Sequence, residues 1–315
     1  MNHGISIIVP LYNKEHTIER SLESVFSQND SRYEVIVVDD GSTDNSYQFV
    51  TEKYGSRIRF ISQSNGGPSA ARNSGAQHAK MKYLLFLDAD DELTPDCVGI
   101  HLRAFQNYPI ASLCITSHQV MDQGKLVSEN LVDSSELVLE GEFGCVQGFH
   151  PAFVFGRHLP CLSVEKSVFA LVNGFDERLR CWEVTDFMFR INLLNKYVAF
   201  TNKITIIKNE DLVNSQFTRE RKNVRYIEIV SRKMLDRIDD VPVEYRAQTL
   251  EPVKRMLKAL FSLREFDVCR DIGKQACHHF RTYGVKAGVC LLIRIPVGIL
   301  QALVRFRGGI DISQS

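Results

Sequence analysis

The chain has 315 residues, 44 % hydrophobic and 24 % charged, with a formal net charge of zero. This is the composition of an ordinary globular protein, long enough for one large domain plus a smaller one or for two domains, and no global field argues for nucleic acid. Eight cysteines without a CxxC pair or zinc-finger spacing exclude a zinc-finger module and fit free thiols in a reducing compartment.

The first strand candidate, Ile5 to Val9, is an apolar run closed by Pro10. No secretory leader is expected ahead of it, so the catalytic part is expected to be cytoplasmic. Lys14 to Gln28 places Ile18, Leu22, Val25 and Phe26 at helical spacing. Tyr33 to Val38 reads as a second strand, and Ser42-Thr43-Asp44 as the start of a second helix. Ile58 to Ile61 is a third strand, Gly66-Gly67-Pro68-Ser69 a turn feeding a helix from about Ala70 to Ala79, and Tyr83 to Leu87 a fourth strand. Such alternation implies right-handed crossovers and a mostly parallel sheet flanked by helices.

From Thr94 to about Ser215 the pattern is mixed, with helices at Pro95 to Asn107 and Phe187 to Leu194 and a strand at Ala111 to Thr116. The expected division is therefore an α/β domain over 1–215 and a helical extension over 216–315. The extension is basic, with nineteen Lys/Arg against eleven Asp/Glu, and its helices fall near Val224 to Ile238, Glu251 to Leu263 and Val268 to Tyr283. Ala287 to Val304 is apolar apart from Arg294 and Gln301. Arg near the middle of a spanning helix costs roughly 2.5–3.5 kcal/mol. A segment over 285–307 lying in the membrane interface is the favoured expectation, and a buried terminal helix with a snorkelling Arg the alternative.

Two acidic clusters close apolar runs: Asp39-Asp40-Gly41-Ser42 after Val35 to Val38, and Asp88-Ala89-Asp90-Asp91 after Leu84 to Leu87. Carboxyl ends of strands are where open α/β sheets bind ligands. Residues two apart in an extended chain face the same way, so Asp88 and Asp90 can share Mg²⁺ or Mn²⁺, and such an ion neutralises a diphosphate leaving group. A carboxylate in the first cluster can accept an imide N–H such as that of uracil. Gly66 and Gly67 permit close backbone approach to a ligand, and Arg72 can pair with phosphate oxygen.

In combination these segments resemble family 2 glycosyltransferases of the GT-A fold. The resemblance runs through Ser6-Ile7-Ile8-Val9-Pro10-Leu11-Tyr12-Asn13-Lys14, Val38 to Asp44, Ala71-Arg72-Asn73-Ser74-Gly75 and Phe86 to Asp91, strongest between Gly4 and Asp96. It implies a Rossmann-like fold, a nucleotide-sugar donor (UDP-sugar favoured) and an inverting displacement onto a glycan or lipid-linked acceptor. By the same resemblance Pro10 and Tyr12 border the base, Asp40 meets the uracil, Asp39 supports the nucleotide loop and Arg72 lies near the diphosphate. Asp88 and Ala89 lie near the ribose, with Asp90, assisted by Asp88, on the metal.

Two departures stand out. In the stretch Trp182-Glu183-Val184-Thr185-Asp186, the position where the family carries its proton-accepting Asp is Val184. Glu183, or else Asp186, is then expected to take the proton; otherwise the protein binds a nucleotide sugar and transfers it weakly or not at all. Near Lys208-Asn209-Glu210-Asp211 the His that often completes the metal shell is missing, with Asn209 or Glu210 as the available oxygen. His150 to Ser163, Asn173 to Asp186 and the helices after Gln216 are expected to shape the acceptor side. A dehalogenase-like phosphatase is disfavoured by Asp91-Glu92 after the acid pair, and a nicotinamide dehydrogenase by the lack of GxGxxG after the first strand.

Overall fold

Strands form where branched apolar residues alternate between two faces that are both covered. In the computed structural model, which describes residues 2–132, 137–154, 161–210, 223–263 and 265–283, the chain divides into two units, Met1–Ser215 and Gln216–Ser315. The first unit begins β1 (Asn2–Leu11), α1 (Ile18–Phe26), β2 (Tyr33–Asp39), α2 (Ser46–Tyr54), β3 (Arg59–Ser62), α3 (Pro68–His78) and β4 (Met81–Phe86). These four strands are mutually parallel in the spatial order β3-β2-β1-β4. Ile5, Ile7, Val9, Val35, Val37 and Leu85 face one core with Ile18, Leu22, Val25 and Val50 of α1 and α2. Ile8, Ile36, Val38, Leu84 and Phe86 face a second core with Ala71 and Ala76 of α3.

The chain continues through β5 (Glu92–Leu93), α4 (Cys97–Asn107), β6 (Ala111–Asp122), β7 (Lys125–Asn130), β8 (Gly144–Gln147), α5 (Pro151–Val154), β9 (Leu162–Glu165), α6 (Lys166–Leu171), α7 (Glu183–Asn192) and β10 (Tyr197–Glu210). This half, mixed in its sequence pattern, is mixed in strand direction. β9 inserts antiparallel between β4 and β6, giving β3-β2-β1-β4-β9-β6-β10-β5, with β7 on β6 and β8 on β10. Only β6 and β10 in this half run parallel to each other. Helices α6 and α7 add Val168, Phe169, Phe187, Met188 and Ile191 to the second core. The result is a helix–sheet–helix sandwich of GT-A type.

The first helix starts four residues later than its periodicity suggests. The N–H groups of Thr17 and Ile18 both bond the Lys14 carbonyl at 3.0 Å, so Lys14 to Thr17 form the turn that leads into it. Burial pushes the Cys97 thiol up to about 12, which leaves it an inert packing group.

The second unit contains α8 (Val224–Asp236), a short turn of helix at Ile238–Asp240, α9 (Val243–Ser262) and α10 (Phe266–Thr282). Helix α9 begins eight residues before the Glu251 expected from sequence and runs through Pro252. Proline inside a helix costs about 3 kcal/mol. Burial of Leu250, Val253, Met256, Leu257 and Leu260 along the same helix offsets it. No described helix is long and apolar enough to cross a membrane, and the 285–307 segment lies outside the described residues.

Gly75 lets α3 lie flat on β1 and β2. A Cβ there would stand 2.4 Å from Ile8 Cγ2 and 3.2 Å from Val38 Cγ2. Alanine gains at most about 1 kcal/mol in helix propensity, while overpacking costs roughly 1–3 kcal/mol. Gly75→Ala should therefore lower unfolding free energy by about 1–2 kcal/mol in urea titration.

Candidate functional site

The carboxyl ends of β1, β2 and β4 deliver three loops to one edge of the sheet. Helix α3 ties them to the segment before α7. The side chain of Ser69 donates to the Leu179 carbonyl at 2.7 Å. Asn73 bonds Phe175 in both directions, accepting its N–H and donating to its carbonyl, both at 2.9 Å. Gly174 in that turn has φ +61°, and a Cβ on it would lie 2.4 Å from Asn73 Oδ1. Between these two, Arg72 donates through Nη2 to Asp88 Oδ1 at 2.7 Å and through Nη1 to Glu183 Oε1 at 3.0 Å. Residues 111 positions apart in sequence thus meet on one guanidinium.

Burial decides the electrostatics of this triad. The side chain of Arg72 is 5 % exposed and that of Glu183 12 %, whereas Asp88 at 37 % reaches solvent. Burial works against the charge on Arg72, but Asp88 and Glu183 overcome it and hold the guanidinium more firmly protonated than usual. Burial raises the Glu183 carboxyl above the ordinary glutamate value, and the opposing pull of Arg72 does not cancel it.

The first acidic cluster organises the glycine loop. Asp40 Oδ1 accepts from the Gln63 amide and the Gly66 N–H, and Oδ2 from the Gly67 N–H, each at 2.8 Å. Asp39 Oδ1 accepts the Ser42 N–H at 3.2 Å. The carboxylate that carries the glycine loop is therefore Asp40, the residue expected to meet the base, while Asp39 braces the turn of its own cluster. Both are buried. Tyr12, at 45 % exposure, presents its ring just past β1, where Pro10 pairs with Val38 across the strands. No motif or spacing points to Arg180, whose side chain lies over Gly67 and donates to Asn65 Oδ1 at 3.2 Å.

In the second cluster Ala89 turns its methyl into the first core, so its polar contribution is its backbone: the carbonyl accepts the Thr17 hydroxyl at 3.0 Å. Lys14 Nζ contacts Asp90 Oδ2 at 2.5 Å. Arg20 donates to the Asp90 carbonyl at 2.9 Å and contacts Glu92 at 3.1 Å. Asp91 is buried and accepts the Asn209 N–H at 3.0 Å; burial, then the charges of Asp88 and Asp90, raise its carboxyl well above the usual range. The Asn209 side-chain nitrogen donates to the Asp90 carbonyl at 3.2 Å and Glu92 at 3.0 Å. Asn209 thus fastens the acidic loop through its N–H groups, a different task from the oxygen donor expected of it; the Glu210 side chain lies outside the described residues.

Asp186 is buried and bonds Arg190 at 2.7 Å, while Arg190 also donates to the Gly174 carbonyl at 2.9 Å. Its geometry is that of a brace for the Asn173–Phe175 turn. Val184 packs on the second core. Of the stretch 150–163, residues 155–160 lie outside the described residues.

Asp88 and Asp90 supply the hard oxygen donors that Mg²⁺ or Mn²⁺ prefers, with nucleotide phosphates and water completing such shells. In this structure Asp90 Oδ2 is paired with the Lys14 ammonium. Among the described residues no group of three or more His, Cys, Asp or Glu is arranged around one metal position.

This is the arrangement of a GT-A fold: parallel strands ending in acids, a glycine loop, and an arginine that joins them to a helix start. Residues 6–138 match the family model described as Glycosyl transferase family 2. The chain is 35 % identical over 127 residues to a chondroitin synthase of Pasteurella multocida, covering 39 % of this chain and 13 % of that protein. It is 33 % identical over 166 residues to a teichoic acid poly(glycerol phosphate) polymerase of Staphylococcus epidermidis, covering 49 % and 23 %. The chain thus spans less than a quarter of the length of these two relatives. In fold it resembles the crystal structure of S. aureus TarS 1–349, with a TM-score of 0.64 at 18 % identity over 86 % of this chain and 80 % of the other. A TarS 1–349 structure in complex with UDP-GlcNAc aligns with a TM-score of 0.59 at 16 % identity, over 89 % of each chain.

Removing one partner of a buried ion pair costs about 3–5 kcal/mol. Arg72→Met should lose roughly 3 kcal/mol of unfolding free energy by leaving Glu183 unpaired, and adding Glu183→Gln should recover about half of it. Urea titrations of the two single variants and the double variant check the coupling.

Proposed function

We propose that the protein is an inverting glycosyltransferase that moves one sugar from a UDP-sugar, with Mg²⁺ or Mn²⁺, to a glycan or lipid-linked acceptor. The observation that carries the proposal is Arg72, which joins the acid at the end of β4 to the acid at the start of α7. A donor diphosphate beside Asp88 and an acceptor beside Glu183 then share one pocket. The UDP-GlcNAc complex of the TarS fold supports the choice of donor class. The chondroitin synthase and teichoic acid polymerase similarities support a glycan acceptor. The apolar basic segment at 285–307 supports work at the inner face of a membrane.

In this scheme Tyr12 and Pro10 border the base, Asp39 and the Asp40-held glycine loop shape the nucleoside pocket, and Arg72 stands by the diphosphate. Asp88 and Asp90 are the residues that hold the metal, which supplies charge neutralisation of the leaving diphosphate when bound. The acceptor hydroxyl oxygen attacks the anomeric carbon as the bond to the diphosphate oxygen breaks. Glu183 takes the hydroxyl proton, and UDP leaves with the bonding electron pair. A carboxyl raised by burial is a better proton acceptor near neutral pH than an ordinary one.

Glu183 must be ionised to act, so turnover should rise with pH through its raised pKa and be lost below it. The acid limb of kcat/KM should therefore sit above the ordinary glutamate value of about 4.3. Glu183→Gln should lower kcat about 10²–10⁴-fold and erase that limb. Unchanged turnover in this variant would remove Glu183 from the role. A second reading, a nucleotide-sugar-binding protein with feeble transfer, is favoured by Val184 at the usual base position. It predicts that Val184→Asp raises turnover about 100-fold or more, whereas a working Glu183 predicts no gain.

Donor binding is tested separately. A UDP-sugar present at 100 times its Kd should stabilise the protein by about 2.7 kcal/mol in a thermal-shift panel, with and without Mn²⁺. No shift with any nucleotide sugar would sink the proposal.

A further inference from the structure

Lys14 is fixed in its backbone and loose in its side chain. Its N–H donates to the Ser46 hydroxyl at 2.8 Å, and its carbonyl anchors the first turn of α1. The side chain is 40 % exposed and reaches Asp90 Oδ2 across 76 positions of sequence. Two other bases at the acidic loop are tied down differently. Arg72 is buried between Asp88 and Glu183, and Arg20 spans Glu92 and the Asp90 carbonyl. Lys14 takes the Asp90 carboxylate itself, with a point charge on a flexible stem. It occupies the oxygen that the proposed function gives to a divalent cation.

An ammonium and a divalent ion cannot both sit against one carboxylate oxygen without strong repulsion. At about 4 Å, even at the dielectric constant of water, that repulsion is worth roughly 30-fold in affinity. Resting on the transferase function above, we propose that Lys14 is the resident counter-cation of Asp90. The incoming divalent ion displaces it, and it then pairs with the diphosphate of the nucleotide donor. The diphosphate offers the ammonium a new partner when Asp90 is taken. Metal and nucleotide therefore bind with positive coupling, and linkage makes that coupling equal in both directions. With no nucleotide present, Lys14 keeps free metal weakly bound.

The experiment is calorimetric titration of the full chain with Mn²⁺ alone, UDP alone, and Mn²⁺ in the presence of UDP. Wild type, Lys14→Met, Lys14→Arg and the double variant Lys14→Met/Asp90→Asn are compared. Lys14→Met should bind free Mn²⁺ about tenfold more tightly than wild type, and UDP should add less to its Mn²⁺ affinity. Lys14→Arg keeps the charge and should keep the weak binding. Asp90→Asn should abolish the gain. Equal free-Mn²⁺ affinity in wild type and Lys14→Met, while wild type still takes Mn²⁺ with UDP, would overturn the role of Lys14 and leave the transferase reading standing. Failure of every form to bind Mn²⁺, with UDP as without, would overturn the counter-cation role together with metal use, and the UDP-sugar thermal-shift panel judges donor binding by itself.

Discussion

The Arg72 guanidinium is held between Asp88 Oδ1 at 2.7 Å and Glu183 Oε1 at 3.0 Å, and the order of the site follows from it. A charge taken out of water is costly unless partners replace its hydration. Here two carboxylates from distant parts of the chain do so, and neither can move without stranding the other's partner. The constraint fixes the acidic loop after β4 against the start of α7. It also holds the Asp88 and Glu183 carboxylates at a set spacing on either side of one guanidinium. Ser69 and Asn73, flanking Arg72 on α3, add neutral hydrogen bonds to the same segment, so the bridge does not rest on charge alone.

Much of this geometry was legible from local pattern. Branched runs at Val35 to Val38 and Leu84 to Leu87 have to be covered on both faces, so they become interior strands, and acids behind them have to emerge at the sheet's edge. Helices α1 to α3 followed from periodicity and turn residues. The antiparallel β9 did not. Leu162 to Glu165 is four residues long, and its place between β4 and β6 is set by pairing with strands far away in sequence. Nothing in its own composition chooses a neighbour or a direction. The same holds for Arg180 over Gly67, a contact between loops that no periodicity announces. Pro252 misled in the other direction, because proline reads as a helix start unless buried residues on both sides carry the helix through.

The division of labour within the acid clusters was also beyond sequence. Asp39 and Asp40 are adjacent and chemically identical, yet a strand sends neighbours to opposite faces. One braces its own turn and the other gathers three donors from the Gln63–Gly67 loop. Asp90 and Asp91 divide similarly: Asp90 meets Lys14 at the surface, and Asp91 is buried against the β10 backbone. Residue type pointed to a ligand chemistry, and packing decides which internal partners each member of a pair takes.

Helix geometry explains how a proton acceptor could move by one residue. Successive residues on a helix point about 100° apart. Val184 is turned into the second core, whereas Glu183, at the first helical position, is turned to Arg72. Just before it stands Trp182, whose φ of +68° puts a large side chain in the left-handed region at the helix start. That conformation costs of order 1 kcal/mol or more and persists only where surrounding contacts demand it. The chain therefore bears a strained entry into α7 together with an apolar residue at the family's usual base position. The acid at the helix start faces Arg72, and the next residue packs against the core.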